Sequence, residues 1–231
     1  MEQVHRYHTA DVVRSDGAAL AGARRAMILL HGRGGSAEDI LSLAQFFSWD
    51  ALREIPEALE SEGVPSEGVF NEGVTPVAGQ NTAAETTAFL APQATNDSWY
   101  PYSFLAPTSA NEPALSSALD VMATLVAAAL RAGIPRERVY LVGFSQGACL
   151  ALEFAARNAA RYGGLIAFSG GLIGDGVERE RYQGEFDGTP VFMGCSDADP
   201  HIPKARFLAT AAFLRERGAL VTDKLYPQMP H

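Results

Sequence analysis

Lysine is nearly missing from this 231-residue chain: Lys204 and Lys224 are the two, and every other basic residue is arginine. Positive charge is scarce altogether, with 18 Lys+Arg against 27 Asp+Glu and a formal net charge of -9. An acidic chain repels phosphate backbones, which argues against a nucleic-acid partner. No basic amphipathic face is available for anionic lipid. Cysteine is equally scarce, and Cys149 and Cys195 cannot make a disulfide framework. No apolar run approaches the roughly 20 residues of a membrane span; the longest, 121–130, is about half that. The opening MEQVHRYH is polar and lacks the apolar core of a signal peptide, so the expectation is a cytoplasmic protein with no stable membrane anchor. What is present is globular: 47% hydrophobic and 19% charged residues, in a length that suits one domain with an ample core.

Strand and helix patterns alternate along the chain. Short apolar runs predict strands at 25–31, 86–91, 138–143, 164–169, 190–194 and 220–226. Helical spacing predicts helices over 36–47, 113–132, 146–161 and 203–218. Ser36 stands as an N-cap with Asp39 three residues on. Such alternation implies a mostly parallel central sheet with helices on both faces and functional loops at the carboxyl ends of the strands. Residues 50–85 break the rhythm. They hold a possible short helix at 51–60 and the quasi-repeat SEGVP-SEGVF-NEGVT at 61–75. Eight carboxylates against Arg53 alone place seven of the nine net negative charges in this segment. It reads as an acidic, Gly-rich surface insertion. A partial lid is the lesser alternative, because a helix-to-strand connection starts at the edge opposite the functional loops.

Two loops carry chemistry. Gly143-Phe144-Ser145-Gln146-Gly147 lies between a predicted strand and a predicted helix, the setting in which G-x-S-x-G makes a nucleophile elbow. The serine must stand on a strained turn, and glycine two residues to either side avoids a clash. The second loop, His31-Gly32-Arg33-Gly34-Gly35-Ser36, follows an earlier strand. It lacks the Lys-Ser/Thr of a P-loop, and G-x-G-G is not a dinucleotide fingerprint. With a serine elbow downstream it reads as an oxyanion hole, with the backbone N–H groups of Arg33 and Gln146 as donors. His31, at a strand end before glycine, suits a buried structural histidine better than a catalytic base.

LHGRGGSAEDI at 30–40, FLAPQA at 89–94, SWYPYSF at 98–104, GFSQG at 143–147 and DPHIP at 199–203 together resemble the phospholipase/carboxylesterase family of the α/β-hydrolase superfamily, its acyl-protein thioesterase-like branch included. The resemblance runs from about Arg25 onward. It implies an α/β-hydrolase fold and a serine carboxylesterase acting on esters or thioesters without cofactor or metal. A triad in the order Ser, Asp, His needs an acid and a base after Ser145. The loop after the 190–194 strand offers Asp197 and Asp199; the family's acid precedes a proline, which selects Asp199 and leaves Asp197 to cap or orient the loop. His201, two residues from Asp199, is poorly placed to take the serine proton. His231 matches the family's Y-P-x-x-x-H ending as the base, although the family pattern continues for several residues past that histidine. His5 and His8 read as surface or edge-strand residues.

Trp99, Tyr100, Tyr102 and Leu172 are expected to line the substrate pocket, and both cysteines to be packing. The implied partner is a small-molecule ester, probed by a monomer or homodimer. Carboxylesters of short to medium chain are the expected substrates. The alternatives are an acyl thioesterase or lysophospholipase on the same site, and a non-catalytic binding protein on the hydrolase fold.

Overall fold

The computed structural model describes residues 7–46 and 86–231. The acidic insertion at 50–85, with its possible helix at 51–60, lies outside the described residues, as does His5.

Seven strands form one sheet: β1 (Val13–Gly17), β2 (Arg25–Leu30), β3 (Thr87–Pro92), β4 (Val139–Phe144), β5 (Gly164–Phe168), β6 (Pro190–Ser196) and β7 (Leu220–Tyr226). Their order is β1-β3-β2-β4-β5-β6-β7, with β1 antiparallel to β3 and every other pair parallel. Among the described residues four α-helices pack against it: α1 (Ala37–Leu41), α2 (Ala114–Arg131), α3 (Gln146–Arg157) and α4 (Lys204–Glu216). β2 shows why the apolar runs become central strands. Ala26, Ile28 and Leu30 enter one apolar cluster and Met27 and Leu29 the other, so alternate side chains are buried on opposite faces. The larger cluster takes the inner faces of α2, α3 and α4; α1 covers the smaller one through Ala37 and Ile40.

The sequence-based elements hold with shifted ends. α1 is shorter than the predicted 36–47, five α-helical residues followed by a 3-10 turn at Ser42–Phe46. Its start is as expected: Ser36 accepts from the Asp39 N–H and Asp39 accepts from the Ser36 N–H. α2 stops at Gly133, whose φ of +87° lets the N–H groups of Gly133 and Ile134 reach the Leu130 and Ala129 carbonyls. α3 ends four residues before the predicted 161, at Asn158, whose φ of -126° and ψ of 46° leave the helix while its side chain takes the Phe154 carbonyl. By length and composition α2 is apolar enough to cross a membrane, but half of it is buried in the core along one stripe: Leu115, Ala118, Met122, Leu125 and Ala129.

β1 has no counterpart among the predicted strands. Its sequence, VRSDG, is mostly exposed and carries no apolar alternation. It is a strand because its backbone pairs along β3 from Val13 opposite Pro92 to Gly17 opposite Ala88.

Candidate active site

The carboxyl ends of β2, β4 and β6 bring three loops together. At the end of β4 the chain turns through Ser145 into α3. Ser145 has φ 52° and ψ -117°, a conformation that costs a non-glycine residue on the order of 1–3 kcal/mol. Its N–H is held by the Phe168 carbonyl at 2.8 Å, and its own carbonyl accepts from the Cys149 N–H at 3.0 Å. The flanking glycines are required by contact. A Cβ at Gly143 would lie 2.4 Å from the Gly147 carbonyl oxygen, and one at Gly147 would lie 2.2 Å from that of Leu30.

The loop after β6 carries Asp199. Asp199 accepts the backbone N–H groups of His201 and Ile202 on Oδ1, at 2.8 and 2.9 Å. Its Oδ2 lies 2.7 Å from His231 Nδ1, and His231 Nε2 lies 2.8 Å from Ser145 Oγ. Burial raises the Asp199 pKa, but the His231 hydrogen bond and the Ile202 and His201 N–H groups together outweigh it and hold the carboxyl down to about 2. An ionised Asp199 can only accept, so Nδ1 carries the hydrogen and Nε2 presents its lone pair to the serine hydroxyl. The structure therefore brings Ser145, Asp199 and His231 into one chain of hydrogen bonds. Asp197 is not part of it. Its Oδ1 accepts from the Gln228 N–H at 2.9 Å, which ties the segment carrying His231 to the acid loop. His201 sits edge-on to His231 with ring centroids 4.8 Å apart, outside the Ser–His–Asp line.

Two backbone donors flank the serine. In the loop after β2 the Gly34 and Gly35 N–H groups are spent on the Asp97 and Gly32 carbonyls. Among the described residues no acceptor takes the Arg33 N–H, nor the Gln146 N–H in the first turn of α3. The side chains of these same residues have a task that residue type did not reveal. Arg33 donates to Ser98 Oγ and to the carbonyls of Tyr100, Pro101 and Tyr102, at 2.8–3.1 Å. Gln146 accepts from the Trp99 N–H at 3.0 Å and donates to the Tyr100 carbonyl at 2.8 Å. The aromatic loop is thereby clamped onto the elbow. Four of these six bonds go to backbone carbonyls, which no sequence motif encodes.

A cavity of about 610 Å³ opens beside Ser145 and His231, walled by Tyr100, Tyr102, Phe104, Cys149 and Ile202. A second, of about 370 Å³, shares Gly32, Arg33 and Phe144 with it and has Ile40, Leu43 and Phe168 among its other walls. Tyr100 and Tyr102 reach the first cavity. Trp99 and Leu172, read from sequence as pocket residues, line neither. Trp99 is fully buried, its Nε1 donating to the His31 carbonyl at 2.9 Å; an indole needs a partner for its N–H, and here the partner stands just past the end of β2. Leu172 is fully buried in the large core cluster.

The remaining polar groups sort by burial. His31 accepts the Ala94 N–H on Nε2 and so donates from Nδ1 to the Gly32 carbonyl; burial lowers its pKa, and it is a neutral structural histidine. His8 corrects the surface reading. It is 1% exposed, accepts the Thr95 N–H on Nδ1 and donates from Nε2 to the Trp99 carbonyl. Both cysteines are free and buried, and burial pushes the Cys149 thiol up to about 12.

A seven-stranded, mostly parallel sheet with a strained serine between strand and helix defines an α/β-hydrolase. Residues 81–231 match the family model described as phospholipase/carboxylesterase. The solved phospholipase/carboxylesterase from Dyadobacter fermentans is 39% identical, with a TM-score of 0.79 over 97% of this chain and 90% of that one. The chain belongs to the phospholipase/carboxylesterase family. The acyl-protein thioesterases 1 of Neurospora crassa and Saccharomyces cerevisiae are 31% and 32% identical over 46% and 43% of this chain. Each match spans 44% of the relative's own length. The Bacillus cereus carboxylesterase shares the fold at 17% identity, with a TM-score of 0.62 over 95% of this chain and 85% of its own.

Proposed function

We propose that this protein is a serine esterase that hydrolyses small carboxylic esters of short to medium chain, with Ser145 as nucleophile, His231 as base and Asp199 as its orienting acid. The observation that carries this reading is the hydrogen-bonded line from Ser145 Oγ to His231 to Asp199, at 2.8 and 2.7 Å. His231 Nε2 takes the Ser145 proton as Oγ attacks the ester carbonyl. The negative charge that develops on the carbonyl oxygen falls to the Arg33 and Gln146 N–H groups, a kind of donor whose loss costs about 10²–10³ in rate. The imidazolium returns its proton to the departing alcohol. Water, deprotonated by the same nitrogen, then releases the acid and restores the serine.

A second reading is an acyl thioesterase or lysophospholipase on the same residues, and the names of the curated relatives favour its thioesterase form. Both readings put the acyl group on Ser145, so substrate length separates them. A p-nitrophenyl ester series from acetate to palmitate, run beside a palmitoyl thioester, is expected to show turnover falling beyond medium chains. A clear preference for the palmitoyl thioester selects the second reading. Ser145→Ala is expected to cut turnover by on the order of 10⁴–10⁶ and to abolish fluorophosphonate labelling. Unlabelled Ser145 in a folded parent protein overturns both.

A further inference from the structure

Cys195 lies at the end of β6, fully buried, four residues before Asp199. Its Sγ is 3.5 Å from Asp199 Oδ2, the oxygen that also takes the His231 Nδ1–H. Burial pushes the thiol up to about 11, and the Asp199 charge pushes the same way, so it is an S–H group and not a thiolate. An ionised carboxylate has no hydrogen to give, so in this contact the S–H is the donor, while the Ser169 side chain is another hydrogen-bonding group at the thiol. An ionised carboxylate has about four acceptor positions. All four at Asp199 are matched: His201 and Ile202 N–H on Oδ1, His231 and Cys195 on Oδ2. Three of these donors are backbone or the base itself. Cys195 is the side chain that remains, and it withdraws charge from the very oxygen on which His231 depends.

We propose that Cys195 is a positioning residue of the triad: its S–H donates to Asp199 Oδ2, fixes the carboxylate's rotation, and weakens its hold on the His231 proton. This rests on the esterase reading for its kinetic consequence, but the hydrogen bond itself does not. The groups that titrate around His231 are Asp199, Cys195 and the edge-on ring of His201, so His201 is left unchanged in the test.

Cys195→Val keeps most of the volume and removes the donor; Cys195→Ser keeps a donor. With the serine variant the acid limb of the kcat/KM profile on p-nitrophenyl acetate should stay near the parent's. With the valine variant it should move to higher pH, since a carboxylate without that donor favours the charged imidazole more. The valine variant should also lose kcat several-fold with little change in KM. The low-field Nδ1 proton resonance of His231 should move further downfield in Cys195→Val alone, since the freed carboxylate bonds it more strongly. That resonance is read whether or not the protein hydrolyses an ester, so failure of the esterase reading and failure of this one are distinguishable. If Cys195→Val does not fold, Cys195→Ala is read in its place. Equal behaviour of donor and non-donor variants, in limb and resonance alike, makes Cys195 packing only and overturns the proposal.

Discussion

At the scale of single residues, Asp199 links the proposed chemistry to stability. Its carboxyl is held down to about 2 in the fold, below the ordinary aspartate value of 3.8. A depressed folded pKa contributes stability that is present above the unfolded value and is lost as pH falls through the folded one. The contribution is about 2 kcal/mol, complete above about pH 4 and gone near pH 2. Asp199→Asn should therefore flatten the fall of Tm across that window; a slope as steep as the parent's refutes the assignment. The same variant should lower kcat by on the order of 10⁴ at neutral pH, because an amide can hold His231 in the wrong tautomer. The residues of this site divide by how their roles were readable. Ser145, Arg33, Gln146, Asp199 and His231 could be proposed from motif and order, and the fold brings them together. Trp99 was misplaced because an aromatic on a loop packs inward as readily as it faces a ligand. Cys195 gave no signal, since its partner is known only once β6 and the acid loop have folded.

Among elements, the β4–elbow–α3 unit has the tightest tolerance. Gly147 lets α3 start against the end of β2, and its missing Cβ is the space taken by the Leu30 and His31 carbonyl oxygens, at 2.2 and 2.6 Å. Gly147→Ala must push β2 and α3 apart. It is expected to cost about 3 kcal/mol, the upper end of ordinary overpacking, measured by urea unfolding. A loss below about 0.5 kcal/mol would mean the two elements separate freely. The strands buried on both faces were legible because such burial demands unbroken apolar runs. β1 was not, since an exposed edge strand is set by its neighbour's backbone and not by its own side chains. The early end of α1 had no signal either: apolar spacing at Ile40, Leu41 and Ala44 suits an α-helix and a 3-10 turn alike.

Across the whole molecule, Glu153 ties α3 to the segment that follows β5. Its side chain is fully buried and meets Arg157 at 2.7 Å, Arg181 at 3.1 Å, the Tyr182 hydroxyl at 2.9 Å and the Ile173 N–H at 3.1 Å. Replacing one member of a buried ionic group leaves the others uncompensated. Glu153→Ala should cost about 3–5 kcal/mol in denaturant unfolding. None of these groups lines the cavity beside Ser145, so turnover per folded molecule should change little. A collapse of kcat with stability intact would place the network in the catalytic machinery. The bulk charge hid this organisation. The net -9 is concentrated at 50–85, while the described body balances its charges locally, Glu153 among its arginines.

The sequence by itself determined the parallel α/β architecture and the serine elbow, and it put forward Ser145, Asp199 and His231 as the residues of the proposed triad. Those depend on local requirements: apolar runs for buried strands, glycine where backbones touch, an Asp-Pro and a terminal histidine in family-like settings. Only the tertiary structure decided which aromatic faces the cavity, which buried histidine holds the aromatic loop, and what donates to Asp199. Those outcomes depend on contacts between segments far apart in the chain, such as Arg33 with 98–102 and Asp199 with His231. A linear pattern carries no distance between such segments, and the fold supplies it by placing the ends of β2, β4 and β6 side by side.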